Sequence, residues 1–271
     1  MTRTPDGLRL HQQTWLGDAP KAAVVLIHGY AEHSGRYEHV AQRFTDAGYD
    51  IYTFDLRSHG RSQGKPRAFV ETLDEHTGDV DRFLASVREQ TGTRPLFLLG
   101  HSMGGAISAR FLVDGDRDLD GVILSAPALR KAGLLGRPLE ALFLYVAKGW
   151  PRLRLPKLSS DTVCRDPDVV ERYDSDPLIY REGMPLGTAA AVVRATRVVD
   201  KQSDEIKLPI FIAHGTDDKI VKPDASKRLH ERVGSKDKTL KLYPDLYHEI
   251  LNEPERDQVV QDMIDWLDAH A

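Results

Sequence analysis

The chain has 271 residues, of which 41% are hydrophobic and 29% charged, proportions typical of an ordinary globular protein. Lys and Arg number 37 against 41 Asp and Glu, giving a formal charge of -4, and neither sign forms a run. Because phosphate binding needs a basic face, this balance argues against a nucleic-acid partner. The single cysteine, Cys164, excludes an internal disulfide and a multi-cysteine metal site.

The first twenty residues contain Arg3, Asp6, Arg9 and Asp18 and lack the apolar core of a signal peptide. Elsewhere no apolar run approaches the roughly 18–20 residues that a membrane-spanning helix needs. We therefore expect a cytoplasmic protein that is at most peripherally associated with a membrane.

Short runs that are apolar on both faces recur along the chain, as is typical of strands buried on both sides of a parallel sheet. The predicted strands are Ala22–Ile27, Ile51–Phe54, Pro95–Leu99, Gly121–Leu124, Leu208–Ala213 and Thr239–Tyr243. Segments with helical periodicity lie between the first four strands, among them Tyr37–Ala47 and Leu73–Arg88. This alternation predicts an α/β fold with a mostly parallel, doubly wound sheet.

The alternation stops between residues 129 and 207, where no buried strand is predicted. Helical stretches at Leu134–Lys148, Pro167–Tyr173 and Gly187–Lys201 are separated there by proline-rich connections. We predict a core in two parts, residues 1–128 and 208–271, interrupted by a mostly helical insertion at 129–207.

The third predicted strand runs into Gly-His-Ser-Met-Gly at 100–104, and a helical pattern follows at Ala106–Val113. This is the Gly-X-Ser-X-Gly motif in a strand–turn–helix context, where glycines allow close backbone approach and the serine sits at the apex of a strained turn. The helix N-terminus beneath it favours negative charge. A serine that merely caps the helix would give the same letters, but the context favours Ser102 as a nucleophile.

A serine hydroxyl becomes nucleophilic only when a base removes its proton, and that base needs an orienting carboxylate. In sheets of this type the order along the chain is serine, acid, histidine. Two adjacent aspartates, Asp217 and Asp218, follow the fifth predicted strand, and His248 follows the sixth. The order therefore predicts a triad of Ser102, one of these aspartates and His248.

Five segments carry a resemblance to a known family. They are His28–Tyr37 (HGYAEHSGRY), Asp55–Ser62 (DLRSHGRS), Gly100–Gly105 (GHSMGG), His214–Val221 (HGTDDKIV) and Tyr247–His248. In these segments the chain resembles the α/β-hydrolases of the monoacylglycerol lipase and lysophospholipase group, also grouped with serine aminopeptidase-like hydrolases. The resemblance covers most of the chain and implies an α/β-hydrolase fold, in which the insertion at 129–207 is the helical cap, or lid.

The resemblance also implies which aspartate serves as the acid. In the family the acid is the fourth residue of Gly-X-X-Asp, which selects Asp218 over Asp217. The oxyanion hole needs two backbone N–H groups fixed in advance, and these are expected at Met103, after the nucleophile, and at Tyr30, after the first strong strand.

Glu32 and Arg36 match residues that, in the lipase relatives, brace this loop or line the glycerol end of the pocket. We treat both as candidate substrate contacts, although a solvated pair at a helix start would look the same. Some relatives carry a second histidine three residues after the catalytic one, whereas this chain has Leu251. Glycerol specificity therefore stays open.

The first predicted cap helix has more apolar residues than one narrow buried stripe requires. Either this helix packs on the core from two sides, or part of its face, including Leu142 and Phe143, lines an acyl tunnel or rests on a lipid surface. No metal site is predicted, because His28, His33 and His39 have no nearby carboxylates at ligand spacing.

The sequence thus predicts a serine ester hydrolase that acts through an acyl-enzyme, with an acyl ester or monoacylglycerol as its small-molecule substrate and with no cofactor. Monoacylglycerol lipase is the favoured function. A lysophospholipase or a general short-chain carboxylesterase is the alternative within the class. A non-catalytic binding protein on the same fold is the alternative outside it, which a complete triad disfavours. The oligomeric state stays open.

Overall fold

The computed structural model describes residues 2–115, 117–129 and 136–271. Its strands, in chain order, are β1 (Thr2–Arg3), β2 (Arg9–Leu10), β3 (Gln12–Trp15), β4 (Ala22–Ile27), β5 (Tyr49–Phe54), β6 (Leu96–His101), β7 (Gly121–Ser125), β8 (Ile210–Gly215) and β9 (Lys238–Tyr243). Strands β1 and β2 pair with each other, and the rest form a seven-stranded sheet in the order β3-β5-β4-β6-β7-β8-β9.

From β5 to β9 in this order every neighbouring pair is parallel, while β3 pairs with β5 in antiparallel fashion at one edge. Strands β4 to β8 are buried along their whole length, as their continuous apolar runs predict. Sequence analysis missed β3, because its residues Gln-Gln-Thr-Trp are mostly polar and only partly buried.

The α-helices of the described ranges are α1 (Glu38–Asp46), α2 (Leu73–Thr91), α3 (Met103–Leu112), α4 (Arg137–Gly149), α5 (Pro167–Ser175), α6 (Leu186–Gln202), α7 (Asp224–Arg232) and α8 (Arg256–Asp268). Helices α1 and α8 cover one face of the sheet, and α2, α3, α6 and α7 contribute buried side chains to the other. Alternate residues of β4 accordingly point into two separate cores. The prediction of a mostly parallel, doubly wound α/β sheet is confirmed.

The α-helices described between β7 and β8 are α4, α5 and α6, near their predicted positions and joined by non-helical connections. Leu134 and Leu135, which the prediction placed in the first of these helices, lie outside the described residues. Helix α6 packs on α3 and adds Ala191, Ala195 and Val199 to the main core. The insertion therefore shares its third helix with the core, and its division from the core at residues 129 and 207 stays a prediction.

None of the helices in the described part of the chain is long and apolar enough to cross a bilayer.

Candidate active site

Ser102 lies at a sharp turn between β6 and α3, at the carboxyl end of a central strand. Its φ of 52° and ψ of -116° place it in a left-handed region that residues with side chains rarely adopt. The turn requires α3 to approach β4 closely: a Cβ on Gly104 would lie 2.2 Å from the carbonyl oxygen of Ile27. The last glycine of the predicted motif thus allows the backbone to hold the serine at the apex.

His248 lies in the loop after β9, with its ring buried between the serine and an aspartate. Its Nε2 is 2.7 Å from Ser102 Oγ, and its Nδ1 is 2.6 Å from Asp218 Oδ2. Because a carboxylate only accepts, Nδ1 carries the proton and Nε2 can accept the one on the serine hydroxyl. The ring is oriented to remove a proton from Ser102.

Asp218 is buried in the loop after β8, and both oxygens of its carboxylate accept hydrogen bonds. Its Oδ1 accepts hydrogen bonds from the backbone N–H groups of Ile220 (2.7 Å) and Val221 (2.8 Å). Its neighbour Asp217 is exposed and accepts from the hydroxyl of Thr216. The structure thus brings Asp218, and not Asp217, to His248.

The carboxylate of Asp218 and the protonated ring of His248 stabilise each other's charge. Burial by itself lowers the pKa of His248, but the Asp218 carboxylate outweighs this effect and raises that pKa above its ordinary value of 6.5. Burial raises the pKa of Asp218, but His248 and the hydrogen bonds around the carboxylate hold it well below 3.8. The carboxylate is therefore ionised at neutral pH and stabilises a protonated His248.

The loop after β4 passes directly beside the serine. A Cβ on Gly29 would lie 3.1 Å from the Cβ of Ser102. Tyr30 follows Gly29, and both Tyr30 and Met103 line the same cavity as Ser102. No hydrogen bond within the described ranges engages the backbone N–H of Tyr30 or of Met103. Both N–H groups are thus available near the serine, as an oxyanion hole requires.

Arg36 lies between two buried carboxylates. Its guanidinium donates to Glu32 (2.8 Å) and, with both terminal nitrogens, to Glu249 (2.7 Å each). Glu32 in turn accepts from the N–H of Gly29 (2.6 Å) and from the hydroxyl of Tyr37 (2.7 Å). This network joins the loop after β4 to the residue that follows His248.

The prediction of Arg36 as a substrate contact is not supported by its position. Among the described residues, the cavity wall includes Glu32 and Glu249 but not Arg36. The physical reason is charge: two buried carboxylates need a compensating cation between them, and the guanidinium is held there. Glu32 stays a candidate substrate contact.

The cavity beside Ser102 and His248 has a volume of about 1080 Å³, which is large for a small-molecule pocket. Apolar side chains from the loop after β7, the chain after α4, helix α6 and the loop after β8 form part of its wall. These side chains are Leu129, Leu155, Leu158, Val163, Val192, Val193 and Ile220.

Leu142 and Phe143 do not belong to this wall within the described ranges, which corrects the prediction that they line an acyl tunnel. Leu142 is 56% exposed, and Phe143 packs against the small cluster of Ala147, Leu186 and Ala190. Helix α4 divides its apolar residues between α6 and solvent, and within the described ranges it contributes no side chain to the wall.

Sequence analysis did not identify the hydrogen-bond partners of active-site residues that lie far away along the chain. Glu249 is adjacent to His248 in sequence, yet its pairing with Arg36 spans 213 residues and leaves no local signal. The insertion also contacts both active-site loops, through Tyr180 N–H to the carbonyl of Ala31 (2.8 Å) and through Glu249 N–H to the carbonyl of Val163 (2.8 Å). Such contacts cannot be read from spacing.

A serine at a strand-to-helix elbow, with a histidine and an aspartate on the loops after later parallel strands, defines a serine hydrolase of the α/β-hydrolase class. Residues 18–255 match the family model described as "Serine aminopeptidase, S33". The chain belongs to this family, which confirms the resemblance seen in its motifs.

Named relatives agree with this membership. A monoacylglycerol lipase of Mycolicibacterium smegmatis is 37% identical, covering 97% of this chain and 94% of the relative. The crystal structure of a monoacylglycerol lipase of Paleococcus ferrophilus is 32% identical with a TM-score of 0.83, covering 97% and 100% of the two chains. A soluble variant of the Saccharomyces cerevisiae monoglyceride lipase, in complex with a substrate analogue, is 26% identical with a TM-score of 0.87, covering 100% and 95%.

The two adjacent aspartates supply a matched pair of variants. Asp218→Asn replaces a carboxylate that orients His248 with an amide, so we expect turnover to fall by about 10³- to 10⁴-fold. Asp217→Asn changes an exposed side chain and should leave turnover close to that of wild type. Hydrolysis of p-nitrophenyl butyrate measures both, and the opposite ranking would assign the acid to Asp217.

Proposed function

We propose that this serine ester hydrolase is a monoacylglycerol lipase. The observation that carries the proposal is the contact between Ser102 Oγ and His248 Nε2, 2.7 Å apart on the wall of a large, partly apolar cavity. Such a cavity can enclose an acyl chain while its ester carbonyl rests against the serine.

In the proposed reaction His248 Nε2 removes the proton of Ser102 as Oγ attacks the ester carbonyl carbon. The N–H groups of Tyr30 and Met103 stabilise the negative charge on the former carbonyl oxygen, and Asp218 stabilises the imidazolium. His248 then protonates the departing glycerol oxygen, and the acyl group remains bound to Ser102 as an acyl-enzyme. Water, deprotonated by His248, attacks this ester and releases the fatty acid and free Ser102.

The decisive experiment is a panel of p-nitrophenyl esters and monoacylglycerols of graded chain length, with Ser102→Ala as the control. We expect wild type to release fatty acid from monoacylglycerols, and Ser102→Ala to lose activity by about 10⁴-fold or more while keeping its melting temperature. A serine-directed phosphonate should label Ser102 alone. Retention of a tenth of the activity by the alanine variant would exclude this mechanism.

A lysophospholipase is the second candidate, and a separate observation supports it. Lys157 and Lys222 line the cavity and form no ion pair within the described ranges, whereas Lys227 pairs with Asp224 (3.0 Å), and unpaired cationic side chains favour an anionic head group. The panel therefore includes a lysophospholipid with an anionic head group and the same acyl chain as one monoacylglycerol. A higher kcat/KM for the lysophospholipid would replace monoacylglycerol as the proposed substrate.

Acyl selectivity should depend on the cavity wall and not on the outer face of α4. Each methylene buried in the cavity contributes about 0.8 kcal/mol, so kcat/KM should rise with chain length until the apolar space ends. Val192→Trp fills part of this space and should lower kcat/KM for long esters while sparing acetate and butyrate esters. Rate-versus-length curves with soluble p-nitrophenyl esters measure the effect.

Leu142→Trp is the matched control, because it adds the same ring outside the cavity wall. We expect its curve to superimpose on that of wild type. If the Val192→Trp curve were lowered equally at all lengths, the side chain would have a general structural role and a short-chain carboxylesterase would be the better assignment.

We further propose that the protein contacts a lipid surface through an exposed apolar patch. The patch consists of the exposed large hydrophobic residues of α4 and of the chain that follows it: Leu139, Leu142, Tyr145, Trp150, Leu153, Leu155 and Leu158, exposed by 38% to 75%. Residues 139–158 contain Lys148, Arg152, Arg154 and Lys157 and a single acidic residue, Glu140, which is buried. An apolar surface with basic neighbours suits an anionic membrane surface. Leu155 and Leu158 belong to both the patch and the cavity wall, so substrate could enter from the lipid.

Sedimentation with vesicles containing phosphatidylglycerol tests this contact. Wild type should sediment with the vesicles, and the double variant Leu142→Glu, Tyr145→Glu should remain in solution, because buried charge at a lipid surface is unfavourable. Leu16→Glu is the control, since Leu16 is 59% exposed but lies outside the patch. Equal sedimentation of the double variant and wild type would contradict the proposed contact.

A further inference from the structure

The Asp218 carboxylate has a second histidine partner that the proposed mechanism does not use. His214, near the end of β8, is completely buried, and its Nε2 lies 3.0 Å from Asp218 Oδ2. This is the same oxygen that His248 Nδ1 contacts at 2.6 Å. Two imidazole rings therefore bind one carboxylate oxygen.

The proton of His214 is located by its surroundings. Its Nε2 also lies 3.0 Å from the carbonyl oxygen of Val221, and both groups facing Nε2 are acceptors. Nε2 must therefore carry a proton, which it donates to them. On the other side of the ring, Nδ1 is 2.7 Å from the hydroxyl of Ser226, a buried residue of α7. The hydroxyl can donate to Nδ1 and hold the ring in this tautomer.

The result is a continuous row of hydrogen bonds with Asp218 at its centre. The row runs from Ser226 through His214 to Asp218, and from there through His248 to Ser102, with distances of 2.7, 3.0, 2.6 and 2.7 Å. Within the described ranges neither His214 nor Ser226 lines the cavity. His214 can therefore affect the reaction only through the groups it contacts, the Asp218 carboxylate and the Val221 carbonyl, and the N–H of Val221 itself binds Asp218.

We propose that His214 is a positioning residue that holds the Asp218 carboxylate, through its Nε2–H, in the orientation that His248 requires. Ser226 supports this role by fixing the His214 ring. The proposal rests on the proposed serine-hydrolase function, since it concerns the acid of the same triad.

The proposal has a consequence for pH dependence. His214 and His248 both donate a hydrogen bond to Asp218 Oδ2. Without the hydrogen bond from His214, this oxygen carries more negative charge and stabilises the protonated form of His248 more strongly. The pKa of His248 then rises, and because activity needs the neutral ring, the acid limb of the pH–rate profile moves to higher pH.

The other titratable and charged groups that face His248 form no hydrogen bond with His214 within the described ranges. They are His101 from β6, whose ring centroid is 5.1 Å away, Glu32 from the loop after β4 with its partner Arg36, and the adjacent Glu249. Among these, Glu249 and Glu32 raise the pKa of His248 as Asp218 does. A shift of the acid limb in a His214 variant is thus attributable to Asp218.

Two amide substitutions at position 214, to glutamine and to asparagine, separate the proposed role from a merely structural one. The amide nitrogen of glutamine falls near the position of histidine Nε2 and can still donate to Asp218. The amide of asparagine falls near Nδ1, so it keeps the contact with Ser226 but has no donor for Asp218. Both variants are polar and similar in size.

For His214→Asn we expect kcat to fall by about 10- to 100-fold, the effect of losing one hydrogen bond to a charged group, with KM unchanged. The acid limb of its pH profile should move up by about one pH unit. For His214→Gln we expect kcat within severalfold of wild type and an unmoved acid limb. Rates are expressed per active site, counted with a serine-directed phosphonate, so that misfolded protein does not contribute.

Equal rates and superimposed pH profiles for the two variants would overturn the proposal. If either variant fails to fold, ¹⁵N NMR of the wild-type rings decides: the proposal requires a proton on His214 Nε2, and a bare Nε2 refutes it. Absence of wild-type activity on every ester would count against the proposed function, whereas the NMR result concerns His214 alone.

Discussion

The burial of one ionised carboxylate constrains the rest of the site. Asp218 is 2% exposed, and an ion in such surroundings is stable only when donors surround it. Two backbone N–H groups of its own loop bind one oxygen, and two histidine rings bind the other. This requirement determines the path of the loop after β8 and brings the loop after β9 against it. The parallel pairing of β8 and β9 makes the contact possible, because both loops leave the same edge of the sheet.

A second charge, that of Arg36, connects the loop after β4 to the loop after β9. Its guanidinium binds Glu32, beside the candidate oxyanion N–H groups, and Glu249, which follows His248. Both carboxylates are buried, so displacement of either loop would leave a charge without its partner. The histidine and the loop after β4 are thereby held in one relative position. This preorganisation is what stabilisation of a developing oxyanion requires.

The insertion contributes a large part of the cavity wall. Helix α6 packs on α3 and also presents Val192 and Val193 to the cavity, so the same helix belongs to the core and to the substrate wall. Helix α4 instead leaves Leu142 and its neighbours exposed. The proposed acyl-binding and lipid-contact surfaces are therefore largely separate, sharing Leu155 and Leu158, and substitutions elsewhere on each surface can change them separately.

The parallel sheet, the helices between its strands and the order of serine, aspartate and histidine follow from the sequence, because buried strands and turn glycines leave local patterns. The edge strand β3 leaves none, since its residues are largely polar. The choice between Asp217 and Asp218 came from family resemblance, and tertiary structure shows its cause: of the two carboxylates, only that of Asp218 reaches His248. Tertiary structure alone decided that Arg36 lies between two carboxylates, that Leu142 and Phe143 lie outside the cavity wall, and that His214 shares the oxygen of Asp218 with His248. These contacts join residues distant in sequence, and their partners are selected by packing and charge compensation, which no local pattern encodes.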